Sequence, residues 1–175
     1  RDSGRLAYSR NVEGYTELTA GELTGPVDLD TFPAPDLPAG IAGGVSFSEN
    51  GERFAVTATG SADNTNVYVV ETATGDTERW TRAVTAGIPR ESFVAPDLVH
   101  VESFDGLDVP GFLSLPQGVA RDDDADLPVI VDIHGGPESQ PRPSFSPTKQ
   151  YFLSHGYAVF EPNVRGSAGY GKKYA

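Results

Sequence analysis

The 175-residue sequence predicts a mixed fold with two parts, an all-β region over residues 1–96 and the beginning of an α/β region over residues 97–175. Three observations support this prediction. Short strands separated by turns fill the first part, a four-stranded pattern recurs within it, and a strand, a helix and a strand follow one another in the second part. With 38% hydrophobic and 10% aromatic residues, the composition is sufficient for a packed core.

A four-stranded antiparallel meander is predicted in the middle of the all-β region. Apolar and polar side chains alternate in residues 45–48, Glu49-Asn50-Gly51 supplies a tight turn, and Phe54, Val56 and Ala58 fall on one face of the returning strand. The four strands are predicted at residues 45–48, 54–58, 67–70 and 77–81.

An earlier copy of this meander is partly visible. Residues 4–8 and 14–18 repeat its pattern at a spacing of 48 residues. Four strands that recur every 40 to 50 residues or so are the sequence signature of β-propeller blades, and fewer than two blades fit in this region. Residues 26–38 contain four prolines and are predicted to connect the blades, because proline cannot donate a strand hydrogen bond.

The α/β region is predicted to begin after Pro96 with a hairpin that turns at Asp105-Gly106. Residues 129–133 then form a nearly continuous apolar run, which is typical of a strand buried on both faces of a parallel sheet. Gly156 ends a short helix in a left-handed cap. Strands are predicted at residues 99–104, 109–115, 129–133 and 157–160, and the helix at residues 147–155. Strand, helix and strand together form a βαβ unit.

The charge excludes several classes of partner. The chain has 25 acidic residues against 13 Lys plus Arg, for a net charge of −12. Such a surface repels nucleic acid and anionic membranes, so neither is expected as a partner. An acidic surface with only three lysines is typical of proteins from a high-salt cytoplasm, and a halophilic, cytoplasmic protein is therefore expected. An ordinary acidic protein is the alternative.

The composition also limits the chemistry. Without cysteine there is no disulfide, no thiolate metal site and no cysteine nucleophile. A chain that opens on Arg1 and contains no methionine is expected to be a piece of a longer protein. No apolar run approaches the roughly 18 residues of a membrane-spanning helix.

Two glycine-rich motifs follow the two predicted strands of the βαβ unit. His134-Gly135-Gly136-Pro137 ends the first, and Pro162-Asn163-Val164-Arg165-Gly166-Ser167-Ala168-Gly169-Tyr170-Gly171 follows the second. Together they resemble the prolyl oligopeptidase family of serine peptidases, in the wording of its acylaminoacyl-peptidase and dipeptidyl-aminopeptidase-like branch. Ser103-Phe104-Asp105-Gly106, Pro110-Gly111-Phe112 and Arg142-Pro143-Ser144-Phe145 continue the similarity.

This resemblance implies a more specific fold. Residues 1–96 would be C-terminal blades of a β-propeller, and residues 97–175 would be the N-terminal part of an α/β-hydrolase domain, both incomplete. The similarity is strong over residues 99–175 and rests only on the strand pattern before them.

The first motif has the form of an oxyanion-binding turn. Amide hydrolysis builds negative charge on the carbonyl oxygen, and a preorganised donor aimed at that oxygen is usually the largest catalytic contribution. Pro137 has no N–H, so the donor is Gly135 or Gly136, and the resemblance favours Gly136. It also implies a second donor, the hydroxyl of Tyr170, which stands five residues after Arg165 as in the prolyl oligopeptidase branch.

The nucleophile of such an enzyme is missing from the sequence. An α/β-hydrolase serine sits in Gly-x-Ser-x-Gly, which does not occur here, and the triad follows in the order serine, acid, histidine. All three triad residues are therefore expected beyond Ala175. His134 is expected to position the glycine turn, His100 to lie in a strand and His155 to end a helix.

Other motifs imitate binding sites. Asp122, Asp124 and Asp126 have the spacing of a calcium loop, but Leu127 replaces the glycine that such a loop requires, so a solvated loop is favoured. The glycines after Arg165 do not follow the Gly-x-Gly-x-x-Gly order of a dinucleotide site. Arg165 itself either binds a substrate carboxylate or, more often for arginine, forms an internal ion pair. No metal or cofactor is expected.

The sequence therefore predicts a piece of a two-domain serine peptidase that hydrolyses short peptides through an acyl-enzyme, with the piece itself inactive. Two alternatives remain open. An esterase on the same fold would use the same oxyanion turn, and a non-catalytic propeller module that binds partners would lack the nucleophile altogether.

Overall fold

The structure, a computed structural model, describes residues 4–121, 126–136 and 138–174. The described chain forms three sheets, with strand orders β1-β2-β3, β4-β5-β6-β7 and β10-β11-β9-β8. The elements are β1 (Arg5–Val12), β2 (Tyr15–Leu23), β3 (Leu29–Thr31), β4 (Gly40–Phe47), β5 (Arg53–Gly60), β6 (Asn66–Glu71), β7 (Thr77–Arg79), a single 3-10 turn (Arg90–Ser92), β8 (Asp97–Glu102), β9 (Asp108–Ser114), β10 (Val129–Val131), α1 (Pro147–Ser154) and β11 (Ala158–Pro162).

The first two sheets repeat one another. β1 begins at Arg5 and β5 at Arg53, while β3 begins at Leu29 and β7 at Thr77, so both pairs of strands are offset by 48 residues. The predicted meander is confirmed as β4 to β7, with every neighbouring pair antiparallel. In the described residues these sheets stay open rather than closing into a ring, and their assignment as propeller blades remains a prediction.

Two strand predictions in this region need correction. β4 begins at Gly40, five residues earlier than predicted. A bulge between Gly43 and Ser46 interrupts the alternation of apolar and polar residues, so the pattern did not reveal the first part of the strand. β3 lies within residues 26–38, which were predicted to be a connection. The six residues between Pro26 and Pro33 contain no proline, so this short window can pair with β2.

The core of the all-β region lies between these two sheets. Phe54 and Val56 of β5 and Val70 of β6 are fully buried, and the ring of Phe47 packs edge-on against Phe54 at a centroid distance of 5.6 Å. Ala20 of β2 belongs to the same cluster. The alternation that predicted the strands thus also identifies their buried faces.

The third sheet contains the predicted hairpin and βαβ unit. β8 and β9 pair antiparallel, β9 pairs with β11, and β11 pairs with β10 in parallel. α1 connects the two parallel strands. It begins after Ser146, whose hydroxyl accepts a hydrogen bond from Lys149 N at 3.3 Å, and ends at His155. Within the described residues, no helix has the length and apolar character needed to cross a membrane.

β10 differs from its prediction. It spans only Val129–Val131, and the side chains expected to be buried on both faces are instead 56% exposed at Val129 and at Val131. In the part of the chain that the structure describes, β10 is the edge strand of its sheet and pairs only with β11, so its apolar residues lack the second neighbouring strand that a central strand has.

Candidate active site

The predicted oxyanion turn is exposed at the C-terminal end of β10. Gly136 has a φ angle of 114°, a conformation that L side chains rarely adopt. A Cβ added there would lie 3.2 Å from Cβ of Ser139, whereas a Cβ at Gly135 would meet no atom within 4 Å. In the described part of the chain, neither glycine N–H donates to another group. The turn therefore presents two free backbone donors to solvent.

The second motif lies against this turn. His134 Nε2 is 2.7 Å from Ser167 Oγ, and Ala168 N donates to Ser139 O at 3.0 Å. The loop after β10 (the first loop) and the loop after β11 (the second loop) are thus joined on both sides of the glycine turn. The two glycine-rich motifs, separated by a helix in the sequence, therefore meet beyond the C-terminal ends of β10 and β11, where ligand crevices of open α/β sheets form.

The contact between His134 and Ser167 imitates a catalytic pair but is structural. Ser167 is completely buried, and its Oγ is also 2.7 Å from the carbonyl oxygen of Val164, to which it donates. The other imidazole nitrogen, Nδ1, faces the carbonyl of Gly135 at 3.1 Å rather than a carboxylate. A nucleophile must be reached by substrate and its histidine is normally oriented by a third group. His134 therefore links the two loops.

The hydroxyl of Tyr170, in the second motif, is buried. It has no hydrogen-bond partner among the described residues and so makes no hydrogen bond to Gly135 or Gly136 there. Its ring packs on Tyr174 at a centroid distance of 5.1 Å. Burial, together with the charges of Glu13 and Tyr174, raises the pKa of Tyr170 to about 12. The phenol accordingly keeps its proton, which a hydrogen-bond donor requires.

The remaining candidates have local roles. Arg165 forms an ion pair with Asp105 in the turn between β8 and β9, in agreement with the internal-pair interpretation. His155 caps α1, with Nδ1 2.8 Å from the carbonyl of Tyr151, and His100 in β8 contacts Glu13 at 3.0 Å. Most of the calcium-like segment, Asp122 and Asp124 included, lies outside the described residues.

Two contacts at this site were not found from the sequence. Ser167 joins His134 across 33 positions, and the Arg142 guanidinium donates to Gly14 O across 128 positions. Neither pair has a local spacing signal, because each depends on how the sheets pack. The only sequence indication was that Arg142 lies in a segment that resembles the family.

Parts of the chain are similar in sequence to known peptidases. The chain is 34% identical over 80 residues to dipeptidyl aminopeptidase BIII of Pseudoxanthomonas mexicana, covering 43% of this chain and 12% of the relative. It is 32% identical over 101 residues to the uncharacterized peptidase YuxL of Bacillus subtilis (strain 168), covering 58% of this chain and 14% of the relative. No family model matches the chain.

Solved structures share the fold. A puromycin-hydrolyzing peptidase of Mycobacterium tuberculosis superposes with a TM-score of 0.76 and 24% identity, over 99% of this chain and 26% of that one. The acylaminoacyl peptidase of Pyrococcus horikoshii superposes with a TM-score of 0.73 and 21% identity, over 99% and 26%. The chain spans about a quarter of the length of these solved proteins. In sequence and in fold, the chain is similar to peptidases of the prolyl oligopeptidase family.

Proposed function

We propose that this chain belongs to a serine peptidase that hydrolyses short peptides through an acyl-enzyme. In this proposal residues 1–96 are propeller blades, residues 97–175 begin the α/β-hydrolase domain, and the nucleophile, acid and histidine lie outside the 175 residues. The sequence similarity to peptidases supports the reaction class. The parallel pair β10 and β11, joined by α1, is the arrangement that a hydrolase sheet requires.

One observation carries the assignment of the site. Gly136 stands exposed after a parallel strand, with a positive φ angle and an N–H that no described group occupies. A backbone N–H held by its turn costs no reorganisation when charge develops on a substrate oxygen. Gly136 is therefore the main proposed oxyanion donor, and Tyr170, whose protonated hydroxyl has no hydrogen-bond partner among the described residues, is the second.

The 175-residue polypeptide is expected to have no peptidase activity. Oxyanion donors without a nucleophile stabilise an intermediate that never forms, and Ser167 is too buried to replace the missing serine. The measurement is turnover of aminoacyl and acyl-aminoacyl chromogenic amides, compared with a buffer blank. Turnover that a serine-directed fluorophosphonate abolishes would contradict this expectation, and labelling of Ser167 by that reagent would identify the source.

Replacement of Tyr170 by phenylalanine tests the second donor. In a protein of the relatives' full length that contains this chain, Tyr170→Phe keeps the ring and its packing on Tyr174 but removes the hydroxyl. If the hydroxyl donates directly to the oxyanion, kcat falls by up to about 10²-fold with little change in KM. Steady-state kinetics on a chromogenic amide measure both constants. An unchanged kcat would make Tyr170 a packing residue and leave Gly136 as the donor from this chain.

A further inference from the structure

The turn between β1 and β2 projects from the all-β region toward the candidate site. We call residues 11–16 the β1–β2 tip. Glu13 and Gly14 at its centre have φ angles of 49° and 89°, and a two-residue type I′ hairpin turn requires positive angles at both positions. Asn11 Oδ1 accepts a hydrogen bond from Gly14 N at 3.0 Å, which braces the turn. The strained backbone at Glu13 is thus held by its own hairpin.

Arg142 holds this tip from the loop that follows the oxyanion turn. Its Nε donates to Gly14 O at 2.8 Å and its Nη2 donates to Thr16 Oγ1 at 2.9 Å. A planar guanidinium can make two such bonds in one fixed geometry, which lysine cannot reproduce. Gly14 is buried beneath this contact, and a Cβ there would lie 2.8 Å from Cζ of Phe112 in β9. The tip therefore packs against the third sheet so closely that no side chain fits at position 14.

The tip makes a further contact with the first loop and lies against the second loop as well. Asn11 Nδ2 donates to Gln140 Oε1 of the first loop at 2.6 Å. Both of these amide side chains lie against Gly169, where an added Cβ would be 2.4 Å from Gln140 Nε2 and 2.9 Å from Asn11 Nδ2. The charge of Glu13 also acts on Tyr170 in this loop. One hairpin turn of the all-β region thus braces both loops of the candidate site.

We propose that Arg142 is a positioning residue for the oxyanion site, which clamps the β1–β2 tip and thereby holds the first loop against the second. Ser139 precedes Arg142 by three residues in the same loop and contacts both motifs, because its carbonyl accepts from Ala168 N and its Cβ lies 3.2 Å from the position of a Cβ at Gly136. Without the clamp, the first loop from Gly136 to Arg142 moves more freely, and the Gly136 N–H points in a wider range of directions. The role in catalysis rests on the proposed peptidase function, whereas the clamp itself does not.

Amide hydrogen exchange in the 175-residue chain, followed by NMR, tests the clamp without any reaction. In Arg142→Gln the Ala168 amide is expected to exchange at least about tenfold faster. The local opening that exposes this amide no longer has to break the two charge-assisted hydrogen bonds of Arg142. Thr16→Val removes one acceptor and is expected to give a smaller increase, while Thr16→Ser keeps the hydroxyl and the parent rate. Arg10→Gln, at an exposed arginine of β1, serves as the matched control and leaves Ala168 unchanged.

The outcomes separate the clamp from the reaction. Unchanged exchange at Ala168 in both Arg142→Gln and Thr16→Val would overturn the proposal, and so would an equal acceleration of the β5 amides, since that would report global unfolding. Thr16→Val remains informative if Arg142→Gln does not fold. In the full-length protein, Arg142→Gln is expected to lower kcat with little change in KM. Absence of any peptidase activity there would refute the proposed function but not the clamp.

Discussion

Gly136→Ala is expected to lower kcat by about 10²- to 10³-fold in a full-length peptidase that contains this chain, which is the loss measured when one oxyanion donor is removed. Alanine retains the N–H but cannot adopt a φ angle of 114° without strain, and its Cβ would press on Ser139 from 3.2 Å. The turn must therefore reorient, and the donor no longer points at the developing charge. KM is expected to change little, because the interaction forms in the transition state.

Gly135→Ala is the matched control for this experiment. The substitution adds the same methyl group one residue earlier, where no atom lies within 4 Å of the new Cβ and φ is not in the positive region. A much smaller loss of kcat is expected. An equal or larger loss in Gly135→Ala would move the donor to Gly135, and full activity in Gly136→Ala would show that the glycine turn does not bind the oxyanion.

Removal of one partner from the buried ion pair between α1 and β11 is expected to destabilise the protein strongly. Lys149 Nζ is 2.5 Å from Glu161 Oε2, and the two side chains are only 8% and 11% exposed. Lys149→Met leaves the Glu161 carboxylate buried without a counter-charge, which typically costs about 3–5 kcal/mol. Denaturant unfolding of the 175-residue chain measures this loss as a lower transition midpoint.

Two further variants make this prediction specific. The double variant Lys149→Met/Glu161→Leu removes both charges and is expected to recover most of the lost stability, because no charge remains buried. Arg53→Met breaks the exposed ion pair with Glu71 and is expected to cost little, because water screens that pair. A loss in Lys149→Met no greater than in Arg53→Met would show that the buried pair does not stabilise the contact between α1 and β11.

The local elements could be predicted from the sequence because their causes are local. Alternation of apolar residues predicted the meander from β4 to β7, and Asp105-Gly106 predicted the turn between β8 and β9. A spacing of 48 residues predicted that the first sheet repeats the second. The glycine turn after β10 and its family resemblance were also visible, because the motif is contiguous. Strand periodicity and turn chemistry operate over a few residues, so no tertiary information is needed.

Only the tertiary structure decided how the candidate site is held together. That β10 lies at an edge depends on strand order, which alternation does not encode. The burial of Ser167 beside His134 and of the Tyr170 hydroxyl depends on how two loops pack. The hydrogen bonds from Arg142 to the β1–β2 tip join residues 128 positions apart. Such contacts arise when one sheet packs on another. The spacing of residues along the sequence does not predict how two sheets pack.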